Sequence, residues 1–515
     1  MSFKDRFGMS PAAMIAIVLG VFMGILDNTI VNVAIPKMMS VFNSTQDQIQ
    51  WVITAYMLVM GMLTPVSGYL GDRFGQRRVY MFALAMFTIG SALCGLSWST
   101  GAIITFRIIQ GIGGAMLMPV SMTMMFSMAP IERRGAIMGI WGIALMFAPA
   151  LGPTLSGYLV EYFDWRIIFY LNVPIGIISF LLVILSVPKF EGKRTEKLDL
   201  PGFVTSLIGF FSLLYALSEA PAKGWHSLTI ISFLVAGIAF LAMFVVIELT
   251  SKNPMLDLKL FRRPVYLVSI ITTSLLSIAM LGVFFILPVF LQDAVGLSPL
   301  QTGLLTLPGA IVTAILMPIS GFLFDRIGAR PLGVIGLGLM LITSFILTNL
   351  NIYWAFTSIM MVYMMRQAGM GLAMMPLSTA GMNDVPQNLI SRATALQNTM
   401  RNVAGSIGTA FLSTIMQSGE NQHFITYTNQ LSATNLQLVH GTNQLPSVFG
   451  ITNSQAFTQI ISLLHEWAFQ RGSQDAFQAS MIIGFLAFIA VFFIGKKKVY
   501  AKRKPPVGGN MAVAE

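Results

Sequence analysis

The sequence predicts an all-α polytopic membrane protein with fourteen transmembrane helices and both termini in the cytoplasm. Three observations carry this. The 515-residue chain is 55% hydrophobic and 10% charged, against about 25% charge in a typical soluble domain. Its mean hydropathy is +0.76. Fourteen apolar runs are long enough to span a bilayer core as helices. With the N-terminus inside and the runs alternating, 24 of the 31 Lys and Arg residues fall on the inside, four outside and three within spans. That split follows the positive-inside rule and requires an even number of spans.

The runs lie near 11–35, 48–70, 79–97, 101–125, 136–160, 167–187, 201–218, 227–248, 265–291, 299–323, 332–350, 354–378, 393–416 and 478–495. The first follows Lys4 and Arg6. It is too long for a signal-peptide core and lacks a small-residue cleavage site, so it is expected to stay as span one. The run at 201–218 is the weakest, being short and ending in Ser218-Glu219. The net charge of +11 sits in inside loops and needs no nucleic acid to explain it. The single cysteine, Cys94, allows no disulfide within the chain. No metal-ligand cluster, nucleotide loop or hydrolase motif is evident, so no cofactor beyond a proton gradient and no enzymatic activity is expected.

Asp27 lies inside the first run, in Leu26-Asp27-Asn28-Thr29-Ile30-Val31-Asn32. A carboxylate in hydrocarbon is costly unless paired, solvated or protonated, and marks a functional site by default. Carrying a proton or cation is the leading reading; a structural clamp on a neighbouring helix is the alternative. Arg107 enters span four about as deeply as Asp27 lies from the outer end of span one, by helical rise. The two charges can pair or compete through water. A cation favours the ionised carboxylate and desolvation the neutral one, so moving Arg107 would load or unload a proton.

Two loops repeat. Gly68, Asp72, Arg73, Gly75 and Arg77 after span two match Gly321, Asp325, Arg326, Gly328 and Arg330 after span ten, 253 residues on. Gln110, Gly114 and Pro119 match Gln367, Gly371 and Pro376 at an offset of 257. Two matches at nearly one offset indicate homologous halves with a binding site between them, as in secondary transporters. The expected organisation is a six-helix half over 1–200, a two-helix insert over 201–264, a second six-helix half over 265–495 with a long outer loop at 417–477, and a basic tail over 496–515. The loop aspartates are expected to accept from an Arg or from backbone N–H groups at a helix start, latching one face of the cavity. The insert carries no deep charge and is expected to be peripheral. Within the outer loop, 456–467 reads as an amphipathic interfacial helix or as a disordered stretch with one sticky patch.

These motifs resemble the major facilitator superfamily, in its fourteen-span drug:proton antiporter branch of EmrB/QacA type. Leu26 to Pro36 is similar to that branch's span-one motif, and 68–78 to the superfamily's loop motif, with Gln76 replacing a usual basic residue. Arg107-Ile108-Ile109-Gln110-Gly111-Ile112-Gly113-Gly114 resembles the span-four motif tied to proton transfer. Ala150-Leu151-Gly152-Pro153-Thr154-Leu155-Ser156-Gly157 resembles the span-five antiporter motif, with Ser156 where glycine is common. Asp164-Trp165-Arg166, Phe169, Asn172, Pro174 and Gly176 also look typical.

The resemblance covers about 11–416. It implies proton coupling by Asp27 and Arg107, a latch at the repeated loops, and close packing at Gly152, Pro153 and Gly157. The implied function is proton-driven export of amphiphilic small molecules across the bacterial cytoplasmic membrane. Export of one endogenous metabolite, lipid or siderophore is the alternative, as is a membrane sensor or scaffold without turnover. Some relatives work with a periplasmic adaptor protein; nothing in this sequence establishes one. Candidate cavity residues are Asn28, Asn32, Gln110, Met116, Met146, Gln367, Arg366 and Arg401. The methionines also suit lipid-facing positions, and the two arginines suit structural roles while leaving an anionic substrate open.

Overall fold

The computed structural model describes residues 9–192, 199–251, 253–430 and 453–495. Among these, every regular element is a helix. Each of the fourteen apolar runs lies on a helix or a broken helix pair. Among the described residues ten helices are long and apolar enough to cross a membrane, or up to twelve when each of two bent pairs counts as one span.

The first half opens with α1 (Pro11–Phe42), started by the Ser10 side chain, which accepts from the Ala13 N–H at 3.2 Å. Proline at the first helical position leaves no donor unsatisfied. The next helix, α2 (Gln46–Leu63), begins with a reciprocal capping box between Thr45 and Gln48. It breaks at Thr64-Pro65 and continues as α3 (Val66–Phe74) after a 58° bend. Span two is thus two helices, not the single run expected, because Pro65 supplies no N–H at the break.

Next come α4 (Gln76–Gly95), α5 (Thr100–Met128) and α6 (Arg134–Tyr162). The last of these bends by 42° around Pro149 and Pro153. A short turn, α7 (Ile167–Tyr170), leads into α8 (Asn172–Ser186). Two helices follow, α9 (Leu200–Lys223) and α10 (Leu228–Thr250). The weakest predicted span is thus a 24-residue helix.

The second half contains α11 (Pro264–Val289), extended by a π turn over Phe290–Ala294, then α12 (Pro299–Ile327) and α13 (Ala329–Leu347). It ends with α14 (Phe356–Asn383), α15 (Ile390–Gln430) and α16 (Asn453–Val491). The repeat is visible in backbone form. Gly75 joins α3 to α4 at φ +88° and Gly328 joins α12 to α13 at φ +84°. Side chains rarely adopt this conformation, which is why glycine stands at both positions. These two turns define what is called here the basic end of the bundle.

The expected long outer loop is largely helical. Helices α15 and α16 run on through 417–430 and 453–477 and pack together. Its Asn, Gln, Ser and Thr content suggests loop, but charged and polar side chains there tie the two helices to each other and to the connection after α13. Gly419 and Gly472 bring the two backbones close. His423 meets Asp475 at 3.0 Å, His465 meets Glu420 at 3.2 Å, and Gln474 donates to Leu350 O at 2.7 Å. The interfacial helix expected over 456–467 is the first part of α16 rather than a separate element. The middle of that loop, and the basic tail, lie outside the described residues.

The insert touches both halves. Helix α9 packs on α2 and α15. Trp51 stacks on Tyr215 with ring centroids 6.2 Å apart, and Trp225 Nε1 donates to Thr414 Oγ1 at 2.9 Å. The halves themselves meet mainly where α6 lies along α12 and where α15 lies on α3 and α5.

Candidate functional site

Asp27 faces inward on the buried stripe of α1 that also carries Met23, Ile30, Val31 and Ala34. On α5, Arg107 and Gln110 are three residues apart and share one face. Gly90 of α4 lets that face approach: a Cβ there would lie 2.6 Å from Gln110 Cα. Asn172 comes from the first position of α8 and Tyr56 from α2.

These side chains form one network, every member of which is buried. Arg107 Nη1 forms an ion pair with Asp27 Oδ2. Gln110 Nε2 and Asn172 Nδ2 each donate to Asp27 Oδ1 at 2.9 Å. Arg107 Nη1 also donates to Gln110 Oε1 at 2.7 Å, and its Nε to Val52 O at 3.1 Å. The guanidinium carbon lies 3.9 Å from the centroid of the Tyr56 ring. Asn172 further donates to Ser91 Oγ at 3.1 Å, and Ser91 Oγ donates to Phe169 O at 2.9 Å. Arg107 Nη2 and the Tyr56 hydroxyl are buried without a hydrogen-bond partner among the described residues.

Depth alone had left pairing and competition through water both open; in this conformation the two charges pair directly. Such a pair is electrically neutral and hydrogen-bonded on several sides, which is how a buried carboxylate becomes tolerable. Asn172, Tyr56 and Ser91 were not singled out as members of the site by the sequence. Asn172 sits near the start of an apolar run, and a polar side chain there is the signal that could have found it.

The repeated loops form two contacts between halves at the basic end. Asp72 meets Arg392 at 3.4 Å. Beside it Gln76 Nε2 donates to Ser391 Oγ at 2.7 Å, so the departure from the usual basic residue has a partner of its own. Gly68 admits the α15 backbone: a Cβ would lie 2.8 Å from Ser391 O. Asp325 accepts from the N–H groups of Gly135 and Ala136, both at 3.0 Å. Arg73 donates to the Tyr69 hydroxyl at 2.6 Å and Arg77 to Ile184 O at 2.6 Å. Arg330 donates twice to Ile494 O, at 3.1 and 2.8 Å. Arg326 lies exposed at the same end. The two aspartates join the halves, whereas Arg73, Arg77 and Arg330 bind within their own half.

The span-five motif divides. Gly152 backs directly onto Thr29 of α1, and Ser156 Oγ donates to Ile30 O at 2.6 Å. The hydroxyl therefore adds a tie rather than disturbing packing. Gly157, expected to pack closely, has nothing within 4 Å of where a Cβ would stand, because it lies beyond the bend of α6. The Pro153 side chain lies outside the described residues.

Between the halves is a cavity of about 20 Å³. Met122 and Trp141 come from the first half, and Ser378, Gln397, Asn398 and Arg401 from the second. Its size is right for a water molecule, not a drug. Of the expected cavity residues only Arg401 lines it. Gln110 is drawn into the Asp27 network. Arg366 turns into its own half, donating to Ser344 Oγ and Ala279 O. Gln367 donates to the Tyr363 hydroxyl at 3.2 Å. Asn28 and Asn32 bond back to carbonyls of α1, at 3.5 and 3.4 Å. Met116 is core, and Met146 packs against it. Among the described residues no group of His, Cys, Asp and Glu could hold a metal ion.

A family model described as Major Facilitator Superfamily matches residues 17–409. The chain is 38% identical over 474 residues to the Bacillus subtilis (strain 168) uncharacterized MFS-type transporter YhcA, covering 92% of this chain and 89% of that one. It is 32% identical over 425 residues to the multidrug resistance protein B homolog of Mycobacterium tuberculosis (strain H37Rv), covering 81% of this chain and 78% of that one. Among solved structures, a double-tryptophan mutant of XylE superposes with a TM-score of 0.63 at 15% identity, covering 94% of this chain and 96% of that one. That likeness speaks to the fold.

Proposed function

The chain belongs to the Major Facilitator Superfamily, a family of membrane transporters and not of enzymes, and we propose that it is a proton-driven multidrug efflux antiporter of the bacterial cytoplasmic membrane. The observation that carries this reading is the buried Asp27–Arg107 pair inside the apolar core of α1 and α5. Its proposed cycle has one proton at a time on Asp27. Protonation releases Arg107 and loosens the contacts of α1 with α5 and α8; deprotonation restores them. A relative named for multidrug resistance supports amphiphilic small molecules as cargo.

The proposed topology has fourteen spans and both termini in the cytoplasm, which places the basic end inside. The distribution of Lys and Arg supports it. So does the location of each apolar run on a helix. In this arrangement the Asp72–Arg392 and Asp325–Gly135 contacts close the cytoplasmic face.

The test is a drug-susceptibility panel in an efflux-deficient bacterial host expressing the wild-type chain or Asp27→Asn. The wild type should raise tolerance to several structurally unrelated amphiphiles, and Asp27→Asn, present in the membrane at equal level, should not. Tolerance to none of them, or full tolerance with Asp27→Asn, contradicts the proposal.

A further inference from the structure

We propose that the cavity between the halves selects amphiphilic organic anions, bound head-first on Arg401. The inference rests on the proposed function and takes this cavity as the place where its substrate binds. Its starting point is a charge imbalance in the bundle interior. Arg107 is neutralised by Asp27. Among the described residues no carboxylate neutralises Arg366, but it is spent on Ser344 Oγ and Ala279 O within its own half. Arg401 differs from both. It sits about eleven residues into α15, near the middle of the bundle, and lines the cavity.

A guanidinium has five N–H donors in a planar fork and no acceptor. Those of Arg401 have two partners, Asn398 Oδ1 at 3.0 Å and the sulfur of Met118, and no carboxylate pairs with Arg401 among the described residues. Every residue lining the cavity is apolar, amide or hydroxyl except Arg401, so the site carries one positive charge and no negative one. A cationic ligand entering it would meet like charge with nothing to oppose it. An anion would supply the missing partner in a low-dielectric setting, where a bidentate Arg contact is strongest.

The remaining walls define the rest of the ligand. Trp141, Met122, Met280, Met374 and Met375 are broad, polarisable and apolar, suited to a flat hydrophobic body of varying shape. Gln397 offers a second polar point. Its Nε2 donates to Ser378 Oγ at 2.7 Å, while its Oε1 is buried with no partner among the described residues. That oxygen can accept from an N–H or O–H on the ligand body. The recognised class is therefore a carboxylate, sulfonate or similar monoanion on an aromatic or aliphatic body.

The experiment uses the full-length protein purified in detergent and three probes with one common body: naphthylacetate, naphthylacetamide and naphthylethylamine. Equilibrium binding is measured for the wild type, Arg401→Lys and Arg401→Gln, with thermal unfolding confirming that each variant is folded. Naphthylacetate should bind at least about tenfold more tightly than the neutral amide, the scale of one charge-assisted contact. Arg401→Gln should abolish that preference, and Arg401→Lys should keep part of it. Failure of naphthylacetate to bind overturns the inference, as does equal or tighter binding of the amide or amine, or an unchanged preference in Arg401→Gln. The same probes followed in proteoliposomes under a pH gradient separate the two readings. Gradient-driven transport without charge preference leaves the proposed function standing and removes this inference. A charge preference in binding with no transport does the reverse.

Discussion

Asp325, in the last turn of α12, accepts from the backbone N–H groups of Gly135 and Ala136 in the first turn of α6, so one half of the molecule caps a helix of the other. Its repeat counterpart Asp72 reaches the guanidinium of Arg392 at 3.4 Å instead. The same loop motif thus makes two different inter-half contacts: one to a helix N-terminus, where anions are favoured, and one to a cation. Both must break when the cavity opens at the basic end.

Removing charge from these contacts should alter exchange between states more than binding. Asp325→Asn and Asp72→Asn each lose a charge-assisted contact of about 1–3 kcal/mol, and neither residue lines the cavity. Transport rate should change several-fold while the dissociation constant for a bound probe moves little. A variant that mainly weakens binding, with exchange rate intact, would show that these loops act on the site and not on its closure.

Closure should also depend on Gly139. A Cβ at this position of α6 would lie 2.6 Å from Met317 O and 2.8 Å from Pro318 Cα on α12, both backbone atoms. Gly139→Leu should hold the halves apart at the basic end and reduce transport at least about tenfold, since overpacking of this kind costs about 1–3 kcal/mol. Cysteine cross-linking between α6 and α12 at the basic end measures the separation. Unchanged cross-linking would mean the helices do not close there.

The span-five motif should split by position. Gly152→Ala places a methyl against Thr29 and should impair both stability and transport. Gly157→Ala meets open space and should leave both within about 0.5 kcal/mol of wild type. Thermal unfolding and initial transport rates of the two variants check this. Equal damage from both would show that Gly157 packs in another state of the cycle.

The outer helical arm should be sensitive to pH through Glu420. Burial holds this carboxyl above its ordinary value; His465 opposes the shift and Asp293 adds to it. The native state therefore holds that proton more tightly than the unfolded chain. The associated stability is fully present below the unfolded value of about 4.3 and is lost as pH rises through the native value. Glu420→Gln should raise the melting temperature above that window and leave it unchanged below. A shift of equal size at every pH would argue that packing, not ionisation, is responsible.

The fold and the charged centre were legible because both rest on costs that sequence displays. Long apolar runs, the offset repeat and Asp27 inside hydrocarbon can be read without coordinates. Side-chain direction cannot. Gln110 and Arg401 both looked like cavity residues, yet Gln110 turns to Asp27 and Arg401 stays in the cavity. Arg366 shares the chemistry of Arg401 and turns into its own half. Composition misled at 417–477, where His423 meets Asp475 between two long helices and Gln474 reaches the connection after α13. Asn172 stands out in the sequence only as typical of the branch, because its role at Asp27 depends on α8 meeting α1, a contact no local pattern encodes.

The most direct test of the central claim is proton movement by the purified protein in liposomes, read with an internal pH dye while a transported probe is added under an imposed pH gradient. The account predicts probe-dependent proton flux with the wild type. With Asp27→Asn it predicts none, although probe exchange down its own gradient persists. Concentrative, proton-coupled transport by Asp27→Asn at the wild-type rate would contradict it.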